Sequence, residues 1–293
     1  MQADEGRMRA AAPRSAGAAG DGPAAEALAR LAPPPDPPLP DPLPPVLAFE
    51  DGRLRPVAAP EPPPLSLFRG VEAQKRALAA NLAALAAGRP AHDMLLWGAR
   101  GCGKSALVRS TARARGLPLV EVPGHAIARL GALFDRLAAV AQPVLVFLDD
   151  LAFAPAADGG RELRLLRALL DGGVRARPPK VRLAVTSNHR HLVVRGPGDG
   201  EARHARDAAE DALALVDRFG LVLGFHPPDE ATFLEMCRAH CEAAGLPLDP
   251  DDARAFALAR GGRSGRTAFH YRVELSVRAA AGSDPLASES GLQ

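Results

Sequence analysis

Read for its apolar and polar positions, the chain changes character twice. Residues 33–64 hold 14 prolines in 32 positions, which excludes helix and favours extended, solvated backbone. Inside that block, 46–50 and 53–57 flank Asp51-Gly52, a pairing that predicts a small hairpin. From Leu65 the pattern becomes that of a folded domain. Residues 70–87 place Val71, Leu78, Leu82 and Leu85 at helical spacing and end at Gly88. Short apolar runs then occur at 94–97, 117–122, 144–148, 181–186 and 221–225, separated by helix-compatible stretches at 104–115, 126–140, 162–170 and 208–217. Strands that are apolar throughout, rather than alternating, are buried on both faces, so the pattern predicts a parallel sheet covered by helices. After Pro227-Pro228 the strand runs stop. Three helical segments follow, about 229–244, 250–260 and 266–281, with Gly261-Gly262 between the last two. The reading is an α/β fold: a disordered Pro/Ala-rich arm (1–64), a five-stranded parallel core (65–226), a helical lid (227–282) and a tail (283–293).

Composition narrows this picture only a little. With 47% apolar and 24% charged residues the chain reads as a soluble globular protein. A formal net charge of +2 gives no argument for nucleic acid. No apolar run approaches the roughly 18 residues of a membrane span. The first 20 residues carry Asp4 and Glu5 and no apolar segment, so they read as a tail rather than a targeting peptide. Three cysteines fit a reducing cytoplasm. Cys237 and Cys241, with His240 between them, have a spacing open to a metal, although two small thiols buried on a helix face are the commoner use.

Candidate chemistry starts at Gly98–Ser105, G-A-R-G-C-G-K-S, which lies between a strand and a helix. That context makes a phosphate site: glycines let backbone N–H groups converge on phosphate, and the helix adds the positive end of its dipole. Gly98, Arg100, Gly101, Cys102, Gly103 and Ala106 would contribute to the cradle. Lys104 would reach the β- and γ-phosphates of a nucleotide, and the Ser105 hydroxyl would hold Mg²⁺. The chain has 36 Lys and Arg residues but only three lysines, Lys75, Lys104 and Lys180, so a lysine in this slot stands out. The run 144–148 ends in Asp149-Asp150. At a strand tip Asp149 can hold the Mg²⁺ hydration shell while Asp150 orients or deprotonates water. Asn188, one of two asparagines, follows the run 181–186 and would bond both γ-phosphate and water from the strand beside the phosphate loop. Arg218 ends the following helix, and its planar fork suits a phosphoryl transition state. In the turn 261–266, Arg263 or Arg266 could swing onto the γ-phosphate when the lid closes. A strand-end helix cap for the Asp pair, a turn amide for Asn188, a helix-dipole partner for Arg218 and a flexible basic turn for 261–266 remain open alternatives.

In order, these parts resemble the AAA+ ATPase superfamily. The strings L-L-W-G-A-R-G-C-G-K-S, L-D-D-L-A-F, L-L-D-G-G-V-R-A-R-P, T-S-N-H-R-H-L, D-R-F-G-L-V-L-G-F-H-P-P-D and G-G-R-S-G-R resemble more narrowly the bacterial predicted-ATPase family called domain of unknown function 815, over about 65–281. The resemblance implies Walker A roles for Lys104 and Ser105, Walker B roles for Asp149 and Asp150, and sensor 1 for Asn188. It also implies that Arg218 is an arginine finger acting on a neighbouring subunit and that Arg266 is sensor 2. Most AAA+ proteins carry Glu where Asp150 stands, one methylene longer; the narrower family shares the Asp pair. That family usually has an acid after L-x-F, where this chain has Ala154. If that acid helps activate water, turnover here is slow.

The expectation is therefore a cytoplasmic, ATP- and Mg²⁺-dependent ATPase, working as a homo-oligomer to remodel an unidentified protein partner. A nucleotide-gated switch with little hydrolysis is one alternative. A nucleic-acid-handling ATPase is another, resting on Arg161, Arg164 and Arg167 at helical spacing and on Arg175, Arg177, Lys180 and Arg182. Against the latter stand 4% aromatics with no interleaving for base stacking. Pro123-Gly124-His125 lacks the aromatic–apolar–Gly triplet of unfoldase pores, which argues against threading. His125, His189, His191 and His204 have no ligand spacing, and 196–207 reads as a mobile loop near the nucleotide.

Overall fold

The chain builds one twisted sheet with a helical layer on each face and a helical lid after the last strand. This computed structural model describes residues 38–151, 161–172, 177–188 and 214–281. Expectations for 1–37, Ala154, His189, His191, His204, the loop 196–207 and the tail 283–293 lie outside those residues. In chain order the strands are β1 (Val46–Glu50), β2 (Arg53–Pro56), β3 (Met94–Gly98), β4 (Leu119–Val122), β5 (Val144–Leu148), β6 (Val181–Ser187) and β7 (Leu221–Phe225). Helices are α1 (Glu72–Ala86), α2 (Lys104–Ala114), α3 (Leu130–Ala138), α4 (Arg161–Leu170), α5 (Glu230–Ala243), α6 (Pro250–Ala259) and α7 (Gly265–Ala281). The sheet order is β2-β1-β4-β5-β6-β3-β7, parallel throughout except for the β1–β2 pair.

Period-2 side-chain alternation explains why these strands need helices on both sides. In β5, Val144, Val146 and Leu148 join one apolar cluster while Leu145 and Phe147 join the other. The first cluster is closed by Leu130, Leu133 and Phe134 of α3 and by Leu166 of α4; the second by Leu78, Leu82 and Leu85 of α1 and by Leu107 and Val108 of α2. A third, separate cluster holds the lid together through Phe233 and Met236 of α5, Ala253 of α6 and Tyr271 of α7. Asp229 and Asp249 cap α5 and α6 by accepting backbone N–H bonds.

The strand count is corrected from five to seven. The expected hairpin forms, with Asp51 at φ 51° and Gly52 at φ 82°, the paired positive φ of a tight turn that matches strand twist. It does not stand apart in the Pro-rich block: β1 adds to the sheet edge in parallel with β4, Leu47 opposite Val120. Leu47 and Phe49 are 1% and 0% exposed. At about 1.5–3 kcal/mol per buried large side chain, they fix a hairpin that would be marginal alone. Proline composition signalled the solvated segments around it but carried no information about this docking. Among the described residues no helix is long and apolar enough to cross a membrane.

Candidate nucleotide site

The carboxyl ends of β3, β5 and β6 meet beneath the lid at a cavity of about 940 Å³. Its floor is the turn between β3 and α2. Gly98 has φ 130°, and a Cβ there would lie 1.9 Å from the Phe225 carbonyl oxygen. That oxygen accepts from Ala99 N–H at 3.0 Å, which ties the loop to β7. Over-packing and a left-handed backbone together make Gly98→Ala costly. We expect it to lose about 2–4 kcal/mol of unfolding free energy in a denaturant titration; a change below about 0.5 kcal/mol would contradict the contact. α2 starts after Gly103 with no side-chain cap, so its first N–H groups face the cavity as an anion-binding end.

Lys104 is 6% exposed and donates to the carbonyls of Gly98 (2.8 Å) and Ala99 (2.9 Å) and to Asn188 Oδ1 (2.9 Å). Burial pulls its pKa below the ordinary lysine value, while Cys102, Asp150 and Asp149 pull the other way. Burial likewise raises the Cys102 thiol, with Lys104 opposing, so Cys102 is a protonated wall residue rather than a nucleophile.

The two acids are used differently. Asp149 Oδ1 accepts from the Ser105 hydroxyl at 2.5 Å and the Thr186 hydroxyl at 2.6 Å, and its Oδ2 accepts from Arg109 at 3.0 Å. Burial works against its charge, but these donors outweigh burial and hold the carboxyl below its usual range. Asp150 has φ 51°, and its N–H donates to Thr186 Oγ1 at 2.8 Å. The Asn188 amide donates to Asp150 Oδ1. Thr186 therefore spaces the two acids, and Asn188 joins Asp150 to Lys104.

These donors fit a hard cation. Ser105 and Asp149 offer two adjacent oxygens, and no group of three or more His, Cys, Asp or Glu that could hold a metal occurs among the described residues. Mg²⁺ suits such a site because it takes one or two protein oxygens and completes its shell from phosphate and water.

Arg266, at the start of α7, lines the cavity and donates its N–H to the Gly101 carbonyl at 3.0 Å, so the lid rests on the phosphate loop. Arg263 instead faces Glu230 at 3.5 Å. Arg218 is not among the residues lining the cavity; its Nε donates to Asp171 at 2.5 Å, beyond the end of α4. Cys237 and Cys241 pack inside the lid core, where burial pushes the Cys237 thiol up to about 12. In the basic run, Arg177 pairs with Asp93 at 2.7 Å. Lys180 donates to the Val140 and Ala141 carbonyls, and Arg182 to those of Ala91, Pro179 and Val181. Those three half-buried cations are engaged within the chain by an ion pair and by backbone carbonyls; Arg175 lies outside the described residues.

Sequence reasoning missed six contributors. Phe68 and Val71 from the segment before α1, and Met236 and Phe269 from the lid, form an apolar wall of the cavity. Nothing in the spacing of 61–71 announces this, since the segment is placed by Ser110 and Lys75 donating to its carbonyls. Thr186 and Arg109 were legible in principle: Thr186 is on β6 two residues before Asn188, which follows the strand, and Arg109 is one turn after Ser105 on one helix.

A profile of the family described as "Protein of unknown function (DUF815)" matches residues 46–279. Among solved structures, the RuvB Holliday junction branch migration motor of Thermotoga maritima is similar in fold. It has a TM-score of 0.50 and 19% sequence identity, covering 72% of this chain and 63% of that one. A single-substitution form of the same motor gives the same values. This chain thus spans less than two thirds of the motor's length, and the α/β fold is what the two share.

Proposed function

We propose that this chain, which belongs to the family of proteins of unknown function DUF815, binds ATP with Mg²⁺ and hydrolyses it to ADP and phosphate as one subunit of a homo-oligomer. In that assembly hydrolysis would remodel a protein partner. The observation that carries the reading is the linked set Lys104–Asn188–Asp150 and Ser105–Asp149–Thr186. Three chain segments, the start of α2 and the ends of β5 and β6, bring an ammonium, a cation-binding hydroxyl–carboxylate pair and a second acid to one cavity. Lys104 would neutralise phosphate charge, Asp150 would orient and accept a proton from water, and Asn188 would fix both in register. Mg²⁺, when bound, would supply charge neutralisation on the phosphates. Arg218 lies outside the cavity of its own chain, which supports action on a neighbour's nucleotide.

Native mass spectrometry of the full chain with ADP, ATP and a non-hydrolysable analogue tests binding, stoichiometry and assembly together. Wild type is expected to carry one nucleotide per subunit and to gain higher oligomers with ATP or the analogue. Lys104→Ala removes two charge-assisted phosphate bonds of about 1.5–3 kcal/mol each. It is expected to weaken binding by about a hundredfold or more while remaining folded by circular dichroism. Equal nucleotide adducts on both proteins would overturn the reading. A second reading, a nucleotide-gated switch with little hydrolysis, rests on Asp150 being one methylene shorter than the Glu that most AAA+ proteins carry there and on Ala154 standing where an acid is usual. Tight ATP binding without phosphate release would select it.

A further inference from the structure

We propose that Arg109 is a positioning residue that fixes the orientation of Asp149 and so sets how strongly the site couples Mg²⁺ to nucleotide; the proposal rests on the nucleotide reading above. Arg109 sits on α2, one turn beyond Ser105, and its guanidinium joins three elements. Nε donates to Glu121 of β4 at 2.7 Å, Nη2 donates to Asp149 Oδ2 at 3.0 Å, and the guanidinium carbon lies 5.0 Å from the centre of the Phe147 ring of β5. The fork and the ring contact leave it one orientation.

Ser105 and Thr186 both donate to Asp149 Oδ1, which leaves the carboxylate free to pivot about that oxygen. Arg109 removes the pivot by holding Oδ2. Its charge would, alone, cancel the carboxylate's attraction for a cation. Glu121 offsets that: two acids and one guanidinium leave a net charge of −1, which favours a cation and disfavours direct phosphate binding by Arg109. A lysine can replace this arrangement only in part, because an ammonium is a point charge without a planar fork.

The test is the affinity of a fluorescent ADP analogue, measured for the full chain in EDTA and in excess Mg²⁺. The ratio of the two affinities reports coupling to the metal and needs no turnover. Partners that orient a metal-binding side chain are typically worth about 10–100-fold in metal affinity. Arg109→Met is therefore expected to lower the ratio about tenfold, the lost orientation of Asp149 outweighing the unit of negative charge that the substitution adds, while affinity in EDTA stays within about twofold of wild type. Arg109→Lys should recover part of the ratio, and Glu121→Gln should lower it in the same direction. An unchanged ratio in Arg109→Met overturns the proposal, as does an equal loss in EDTA, which would mean that Arg109 touches the nucleotide itself. If Arg109→Met does not fold, the Lys and Gln variants make the same comparison, and unchanged ratios in both overturn it. Wild type showing nucleotide binding indifferent to Mg²⁺ would instead sink the Mg²⁺ assignment on which the proposal rests.

Discussion

Arg218→Ala is expected to reduce ATP turnover per subunit by about 10³–10⁵-fold, the worth of an arginine finger on a phosphoryl transition state, with nucleotide affinity nearly unchanged. Two features motivate so large an effect away from the cavity. The side chain is a quarter exposed and its guanidinium is held by Asp171 and the Ala214 carbonyl, so the cation is braced near the surface. It also lies in the turn that follows the helical residues 214–216, just before β7, so a neighbouring subunit docked there would meet a braced cation. The measurement is phosphate release against protein concentration. Wild-type rate per subunit should rise as subunits associate, whereas the variant should stay low at every concentration. Asp171→Ala serves as the control, because it loosens the same ion pair while keeping the guanidinium and should cost far less than removing it. Wild-type turnover in Arg218→Ala would end the finger assignment and leave the ion pair as a local brace, worth up to about 1 kcal/mol as an exposed pair.

Asp150→Asn is expected to lower turnover by about 10²–10⁴-fold, the usual worth of a general base, with ATP affinity within about threefold of wild type. The choice of asparagine follows from the backbone. Asp150 has a positive φ of 51°, a conformation that asparagine tolerates and most other side chains resist. Its amide can also turn its oxygen towards the Asn188 donor, so the geometry survives while the proton acceptor is lost. Single-turnover hydrolysis in the two proteins reads the difference. Identical rates would remove Asp150 from the chemistry. Absence of turnover in both, with ATP still bound, would select the switch reading.

Much of the site was legible because its parts are local. The turn at Gly98–Ser105, the acids at the tip of β5 and Asn188 after β6 each need only a strand's two-residue period and a few neighbours to be recognised. The wall formed by Phe68, Val71, Met236 and Phe269 was not legible. Apolar residues at helical spacing look the same whether they face a core or a cavity, and only docking of the lid decides which. The hairpin was readable as a hairpin from Asp51-Gly52, but its place at the sheet edge was not, because burial of Leu47 and Phe49 depends on β4 being exposed there to receive them.

By itself, then, the sequence determined the element order, the buried parallel core, the Gly98–Ser105 turn and the chemical kind of the polar groups at the ends of β3, β5 and β6. Those are consequences of short-range sterics and hydrophobic periodicity. Only the tertiary structure decided which groups act on one another. Lys104 and Asn188 are 84 residues apart, and Ser105 and Asp149 are 44 apart. They meet because β6 lies between β3 and β5, an arrangement set by helix packing on both faces of the sheet rather than by anything near either residue. The same long-range packing made Arg109 and Thr186 partners of Asp149, placed Arg266 on the phosphate loop and left Arg263 and Arg218 away from it.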